Sequence, residues 1–449
     1  MAAEPHRSEH PRGAGRRSGS YRSWVRRDQD VVWHGFTQMS CFADNEPLII
    51  DRAEGRELID VDGNRYLDAI SSLWVLTLGH RVAELDEALV DQVGKISHST
   101  CLGNGNTSTI ELAEALAPRV PVAQPHFLFA SDGAAATEQA LKIAFQHWKN
   151  LGVPGRTTYL ALGGAYHGDT VGAISIGAGG FGTDIFDPLR FPVVRAPGYD
   201  DETWADQACA LIEDRGDELA AVMFEPLVQG AAGIEVTDPA SVGRLVEAAQ
   251  RAGVLVIADE VATGFGRTGA LFASERCGIL PDIMAIGKGI TGGYLALSAT
   301  VVTQKVFDSF LGPDLSERTL YHGHSYGGNA LACAVAKRHL ELIDEWDVLG
   351  NVAARADQLA RRLHTDFADH PAVRAVRHVG LMAGVELGPP TSGLSWGRRV
   401  CAAAVRRGVL LRPLGDVVVL MPPLTITEDE LDRILDTLAA SIQEVAATE

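Results

Sequence analysis

From about residue 30 the chain alternates short, almost uniformly apolar runs with stretches whose apolar residues recur every three or four positions. The uninterrupted runs at 127–130, 159–162, 173–176, 221–224, 254–258, 283–286 and 299–302 predict strands buried on both faces, as in a mostly parallel sheet covered by helices. The intervening stretch 137–149 reads as a helix, because Ala140, Leu141, Ala144, Phe145 and Trp148 share one face. Beyond Asn329 the pattern changes. A long helix to about Glu345, another over 352–367, a strand pair at 382–387 and 417–420 and a last helix from near Glu428 describe a smaller α+β unit. The expected architecture is α/β. It comprises a large domain over 76–330 and a small domain over 331–449, which residues 31–75 help to build.

The 449 residues are 46% hydrophobic and 22% charged, which excludes a disordered, collagenous or coiled-coil chain. No apolar run reaches the roughly 18 residues of a membrane span, so no membrane partner is expected. A net charge of −19 argues against broad nucleic-acid binding. The acidity is uneven: the first 27 residues hold seven arginines against Glu4 and Glu9. With no apolar core and no apolar face, residues 1–30 are expected to be a disordered basic extension rather than a leader peptide. The six cysteines are far apart, which predicts reduced thiols and a cytoplasmic setting. His322 and His324 are neighbours, but no carboxylate or thiol cluster follows at ligand spacing, so no metal is expected.

The chain has only six lysines, and five lie in helical or polar surroundings. Lys288 instead closes the apolar run 283–286 between Gly287 and Gly289, with Gly292 and Gly293 just beyond. A buried strand end cleared by glycines suits an amine whose pKa is lowered by desolvation for Schiff-base chemistry; an anion-binding lysine is the alternative. The run 254–258 ends in Asp259 and Glu260, at the carboxyl end of a strand, where open α/β sheets bind ligands. Asp259 would suit a protonated pyridine nitrogen, or would simply cap a helix. Residues 131–136 (Ser-Asp-Gly-Ala-Ala-Ala) leave a strand and open a helix, a small-residue turn able to close around a phosphate. Tyr166, in Tyr166-His167-Gly168-Asp169, could lay an aromatic face on a planar cofactor. The run Gly177-Ala178-Gly179-Gly180-Phe181-Gly182 matches a dinucleotide fingerprint and follows an expected strand. No periodic helix comes after it, so nicotinamide binding is not expected there.

Together these segments resemble the class III pyridoxal-phosphate aminotransferases, and among them the 8-amino-7-oxononanoate aminotransferases of biotin synthesis. The likeness runs from about Val32 to the C-terminus. It is carried by Asp259-Glu260-Val261-Ala262-Thr263-Gly264-Phe265-Gly266-Arg267-Thr268-Gly269, by Ile286-Gly287-Lys288-Gly289, by Tyr166-His167-Gly168-Asp169-Thr170, by His322-Gly323-His324-Ser325-Tyr326 and by Leu411-Arg412-Pro413. Ala262 and the Arg412-Pro413 segment point to the biotin branch.

The resemblance implies a fold-type I transferase that uses pyridoxal 5'-phosphate and works as a homodimer with shared active sites. It implies that Lys288 is the Schiff-base lysine and proton carrier, and that Asp259 pairs with the pyridine nitrogen. Gly133, Ala134 and Ala135 would hold the phosphate, while His324 and Ser325 reach the neighbouring subunit's cofactor. Tyr166 would stack on the ring, Gly323 line the substrate channel and Arg412 bind the substrate carboxylate. Ala134 stands where much of the family has Ser. Phe36 replaces a Tyr, and Leu73 replaces the first of two Trp, beside Trp74 on the expected substrate wall. The implied activity is formation of 7,8-diaminononanoate, with S-adenosylmethionine or lysine as amino donor; Phe36 and Leu73 lean towards lysine. An ω-aminotransferase acting on a diamine or β-amino acid with a keto acid acceptor is the alternative. A non-catalytic binding protein is disfavoured by Lys288, Asp259 and Arg412 occurring together.

Overall fold

The computed structural model describes residues 18–448 apart from 181, 392 and 394. Seven strands form the central sheet: β1 (His126–Ala130), β2 (Thr158–Leu162), β3 (Val194–Ala196), β4 (Leu219–Phe224), β5 (Leu255–Asp259), β6 (Ile283–Ile286) and β7 (Ser298–Val302). Their order is β1-β7-β6-β5-β4-β2-β3. β7 runs antiparallel to both of its neighbours, and every other pairing is parallel. β4 and β5, near the middle, are buried along their whole length.

Successive side chains point to opposite faces of a strand, so each strand feeds two cores. Leu160, Leu162, Val222, Phe224 and Val256 join the cluster under the helices Trp204–Arg215 and Pro239–Arg251. Tyr159, Ala161, Ala221, Met223, Leu255 and Ile257 face the helix Gly133–Asn150.

Two smaller sheets flank this core. Ile50–Glu54, Glu57–Asp60 and Arg65–Asp68 form an antiparallel meander whose last strand pairs in parallel with Val409–Leu410. Val373–Val379, Met382–Leu387, Val417–Leu420 and Arg412–Leu414 form an antiparallel sheet in that order. One apolar cluster unites Leu67 and Leu78 with Leu420, Leu431 and Leu435.

Three expectations are corrected. The run 173–176 is not a strand but part of the helix Val171–Ile176. The Thr170 hydroxyl caps it, and Glu138 accepts from the Thr170 hydroxyl at 2.6 Å and from the Gly172 amide at 2.9 Å. A short apolar run does not distinguish buried helix from buried strand. The glycine run from Gly177 therefore follows a helix, and the strand that a dinucleotide fingerprint requires is absent from that position.

The third correction concerns the basic extension. Residues 1–17 lie outside the described residues, but Gly19–Val31 is a helix, not disordered chain. Ser18 caps it by accepting from the Tyr21 amide, and the Tyr21 hydroxyl donates to Pro47 O at 2.9 Å. Tyr21 and Val25, one helical turn apart, supply an apolar face that packs on Phe42. In addition, β3 had no sequence signal: it has three residues, and its middle one is the exposed Arg195.

Two buried histidines make stability pH-dependent. His339, whose Nε2 lies 2.6 Å from the Thr77 hydroxyl, and His147 are each pushed down to about 4, chiefly by burial. A depressed histidine pKa gives stabilisation that is complete above the unfolded value of about 6.5 and is lost as pH falls through 4. The denaturant midpoint should therefore fall between pH 6.5 and 4. His339→Gln should be less stable at pH 7.5 and show a shallower acid slope, as measured by urea titration at each pH.

Candidate active site

Three central strands end in ionisable groups on the same side of the sheet. β5 ends in Asp259, β4 is followed by Glu225, and β6 is followed, after Gly287, by Lys288. Together with Trp74, Gly133 and Tyr166 these groups line a cavity of about 500 Å³. Lys288 sits at φ +43°, a left-handed conformation costly for a side-chain-bearing residue, and opens a short turn, Lys288–Thr291, that closes at Gly292. Its amine has no hydrogen-bond or ion-pair partner among the described residues, and lies 5.3 Å from the centre of the Trp74 ring. Burial pulls its pKa down, while Asp259 and Glu225 partly hold it up.

Asp259 is fixed at both oxygens. Oδ1 accepts from the Val261 amide at 3.0 Å, and Oδ2 lies 2.6 Å from His167 Nδ1. His167 is itself buried, and its Nε2 has no partner among the described residues. Glu225 accepts from the Tyr166 and Gly230 amides, both at 3.1 Å. Burial, opposed by His167 and reinforced by Asp259, raises the Glu225 pKa to about 7.

At the start of Gly133–Asn150, Asp132 Oδ1 accepts from the Ala135 amide at 2.9 Å. The Ala135 amide is thereby committed. Those of Gly133 and Ala134 have no partner among the described residues and stand at the positive end of an 18-residue helix. Gly168, at φ +119°, packs so closely that an added Cβ would collide with the Cβ of Ala134.

Trp74 ends a turn whose four residues Ser71, Ser72, Leu73 and Trp74 all have positive φ, from 50° to 97°. Asp68 accepts from the Ser72 amide at 3.0 Å and the Ser72 hydroxyl at 2.7 Å, and the Ser71 hydroxyl donates to Met421 O at 2.6 Å. Buried Arg267 donates to Pro422 O, Leu76 O and the Ser71 hydroxyl, and burial lowers its pKa to about 9.

The remaining expected residues lie off this wall. Gly323 and His324 line a second cavity with Leu102 and Phe129. Phe36, Leu73 and Ser325 are exposed. Arg412 is half-buried in the strand Arg412–Leu414, opposite Val419, and has no hydrogen-bond or ion-pair partner among the described residues. Sequence reasoning missed Glu225, although it ends an apolar run just as Asp259 does. It also missed the His167–Asp259 contact. Among the described residues no group of three or more His, Cys, Asp or Glu is arranged to hold a metal, and no helix is long and apolar enough to cross a membrane.

Residues 40–442 match the family described as Aminotransferase class-III. The chain belongs to this family. It is 45% identical, over 94% of its length and 81% of the relative's, to the adenosylmethionine-8-amino-7-oxononanoate aminotransferase of Nitratidesulfovibrio vulgaris. The crystal structure of the enzyme so named from Methanocaldococcus jannaschii superposes with a TM-score of 0.91 at 37% identity, covering 94% of this chain and 99% of that one. The ω-transaminase of Pseudomonas jessenii in complex with PMP gives 0.89 at 28% identity, covering 94% and 98%.

The aminotransferase is thus a pyridoxal-phosphate-dependent transaminase of α/β fold. The cavity fits that cofactor: it offers an unpartnered amine, two uncommitted amides at a helix N-terminus and a buried carboxylate on one wall. Gly168→Ala would drive a Cβ into Ala134 and displace the first turn of the helix that offers the free amides. The expected result is cofactor affinity reduced at least about tenfold, read by titrating the apoprotein with pyridoxal phosphate.

Proposed function

We propose that this transaminase aminates the ketone of 8-amino-7-oxononanoate to 7,8-diaminononanoate in biotin synthesis, with S-adenosylmethionine as amino donor. The observation that carries this reading is the 45% identity, along nearly the whole chain, to a protein named for that substrate and donor. Half-buried, unpartnered Arg412 supports it, because a guanidinium without a carboxylate of its own is matched to a substrate carboxylate.

When bound, pyridoxal phosphate supplies an aldehyde to carry the amino group and a cationic ring to withdraw electrons. The chain's residues divide the remaining work. Gly133 and Ala134 would donate amides to the phosphate at the helix start, with Ala135 held beside them by Asp132. Asp259 would keep the ring nitrogen protonated, and the His167 contact at Oδ2 fixes the carboxylate's orientation. Burial favours the neutral, nucleophilic amine of Lys288, whose Nζ then takes and returns the migrating proton. The Tyr166 ring would lie against the cofactor and Trp74 would border the substrate, with exposed Phe36 and Leu73 outside the cavity in this subunit.

We further place Gly323, His324 and Ser325 in the neighbouring subunit's site, making the active unit a homodimer. Support comes from Gly323 and His324 lining a cavity apart from Lys288, and from the exposed apolar side chains of Trp33, Phe36 and Tyr326. Six free cysteines agree with a cytoplasmic setting. Lysine as donor is a second reading, favoured by Phe36 and Leu73.

Lys288→Ala should lose both the visible absorption of the bound cofactor and turnover; a spectrum unchanged from the parent would remove Lys288 from its role. Arg412→Ala should raise KM for the oxononanoate about ten- to a hundredfold, the size of a lost charge-assisted hydrogen bond. Offering S-adenosylmethionine and lysine separately to the holoenzyme, and following its absorbance, identifies the donor. Turnover with pyruvate but none with the oxononanoate would replace this reading with an ω-aminotransferase.

A further inference from the structure

Lys142, on the helix that opens at Gly133, places Nζ 3.0 Å from His322 Nδ1, and His322 Nε2 lies 3.2 Å from His324 Nε2. The imidazole rings meet edge to face, 4.9 Å between centroids. These contacts determine which nitrogens carry protons. A lysine ammonium only donates, so His322 Nδ1 must accept, and the single proton of neutral His322 sits on Nε2. That proton is donated to His324 Nε2, which leaves the proton of neutral His324 on Nδ1. Burial and the positive charge of Lys142 lower the pKa of His322, with Glu138 opposing them. An isolated imidazole would exchange between its two tautomers, whereas this chain of contacts selects one.

We propose that Lys142 and His322 are positioning residues that hold His324 in the Nδ1–H tautomer, so that it donates to the anionic group of the neighbouring subunit's cofactor. The proposal rests on the shared-site reading above. It adds a role for a lysine outside the Lys288 cavity: a helix whose first turn meets the phosphate in one subunit would, one face further along, set the hydrogen-bonding sense of a group serving the other.

The test measures pyridoxal phosphate release from the purified holoenzyme, read from the absorbance of cofactor freed on dilution, together with the oligomeric state. Lys142→Met keeps the aliphatic stem and removes the donor. It should raise the cofactor dissociation constant about three- to tenfold, as expected for one lost hydrogen bond. Lys142→Arg should restore most of the affinity. In the His324→Ala background, Lys142→Met should have no further effect. An equal effect of Lys142→Met with and without His324 would overturn the relay, as would an unchanged affinity in Lys142→Met when His324→Ala alone weakens binding. If His324→Ala leaves both release and dimer intact, the shared-site reading fails and the relay with it.

Discussion

The active site is organised around one unfavourable act of burial: an amine is held at the end of a central strand with no direct counter-ion among the described residues. Lys288 is kept near Asp259 and Glu225 but bonded to neither, in a backbone conformation that costs on the order of 1–3 kcal/mol. A salt bridge would stabilise the charge and make the amine a poor nucleophile. The two acids instead have other partners, Asp259 on His167 and the Val261 amide, Glu225 on the Tyr166 and Gly230 amides. The lysine is left with the Trp74 ring and the open cavity.

That arrangement depends on the sheet. Parallel neighbours β4, β5 and β6 bring their carboxyl ends to one side, so three groups far apart in sequence converge without a long loop. The opposing wall comes from elsewhere. Trp74 stands on a left-handed turn secured by Asp68, Met421 O and Arg267, which ties the meander, the loop beyond β5 and the segment after Leu420 together at one point. The strain in that turn is sustained by contacts from three parts of the chain.

Much of this was legible in sequence because the central strands are buried on both faces and their apolar runs are unbroken. The strands containing residues 221–224 and 283–286 were visible for that reason, and Lys288 and Asp259 stood out as charges abutting such runs. Where burial and strand cease to coincide, the reading failed. Residues 173–176 are as apolar as a core strand but are turned into a helix by the Thr170 cap and by Glu138, a partner 32 residues away. The helix Gly19–Val31 hides its apolar face in two residues, Tyr21 and Val25, among arginines. Glu225 follows an apolar run much as Asp259 ends one, and carried no other signal in the sequence. Residue motifs that resemble a known family supplied the cofactor and the reaction class, which no periodicity could provide.

The parallel pairing of Arg65–Asp68 with Val409–Leu410 has a kinetic corollary. During synthesis the early meander must wait for most of the polypeptide before its missing neighbour arrives, and until then the edge of Arg65–Asp68 is an open template for foreign strands. Apart from the pairing of β1 with β7, the contacts of the central sheet close over much shorter loops, so most of it can assemble first. The strained turn that carries Trp74 cannot be locked until Met421 and Pro422 have been made, so catalytic competence is among the last properties this chain acquires as it folds.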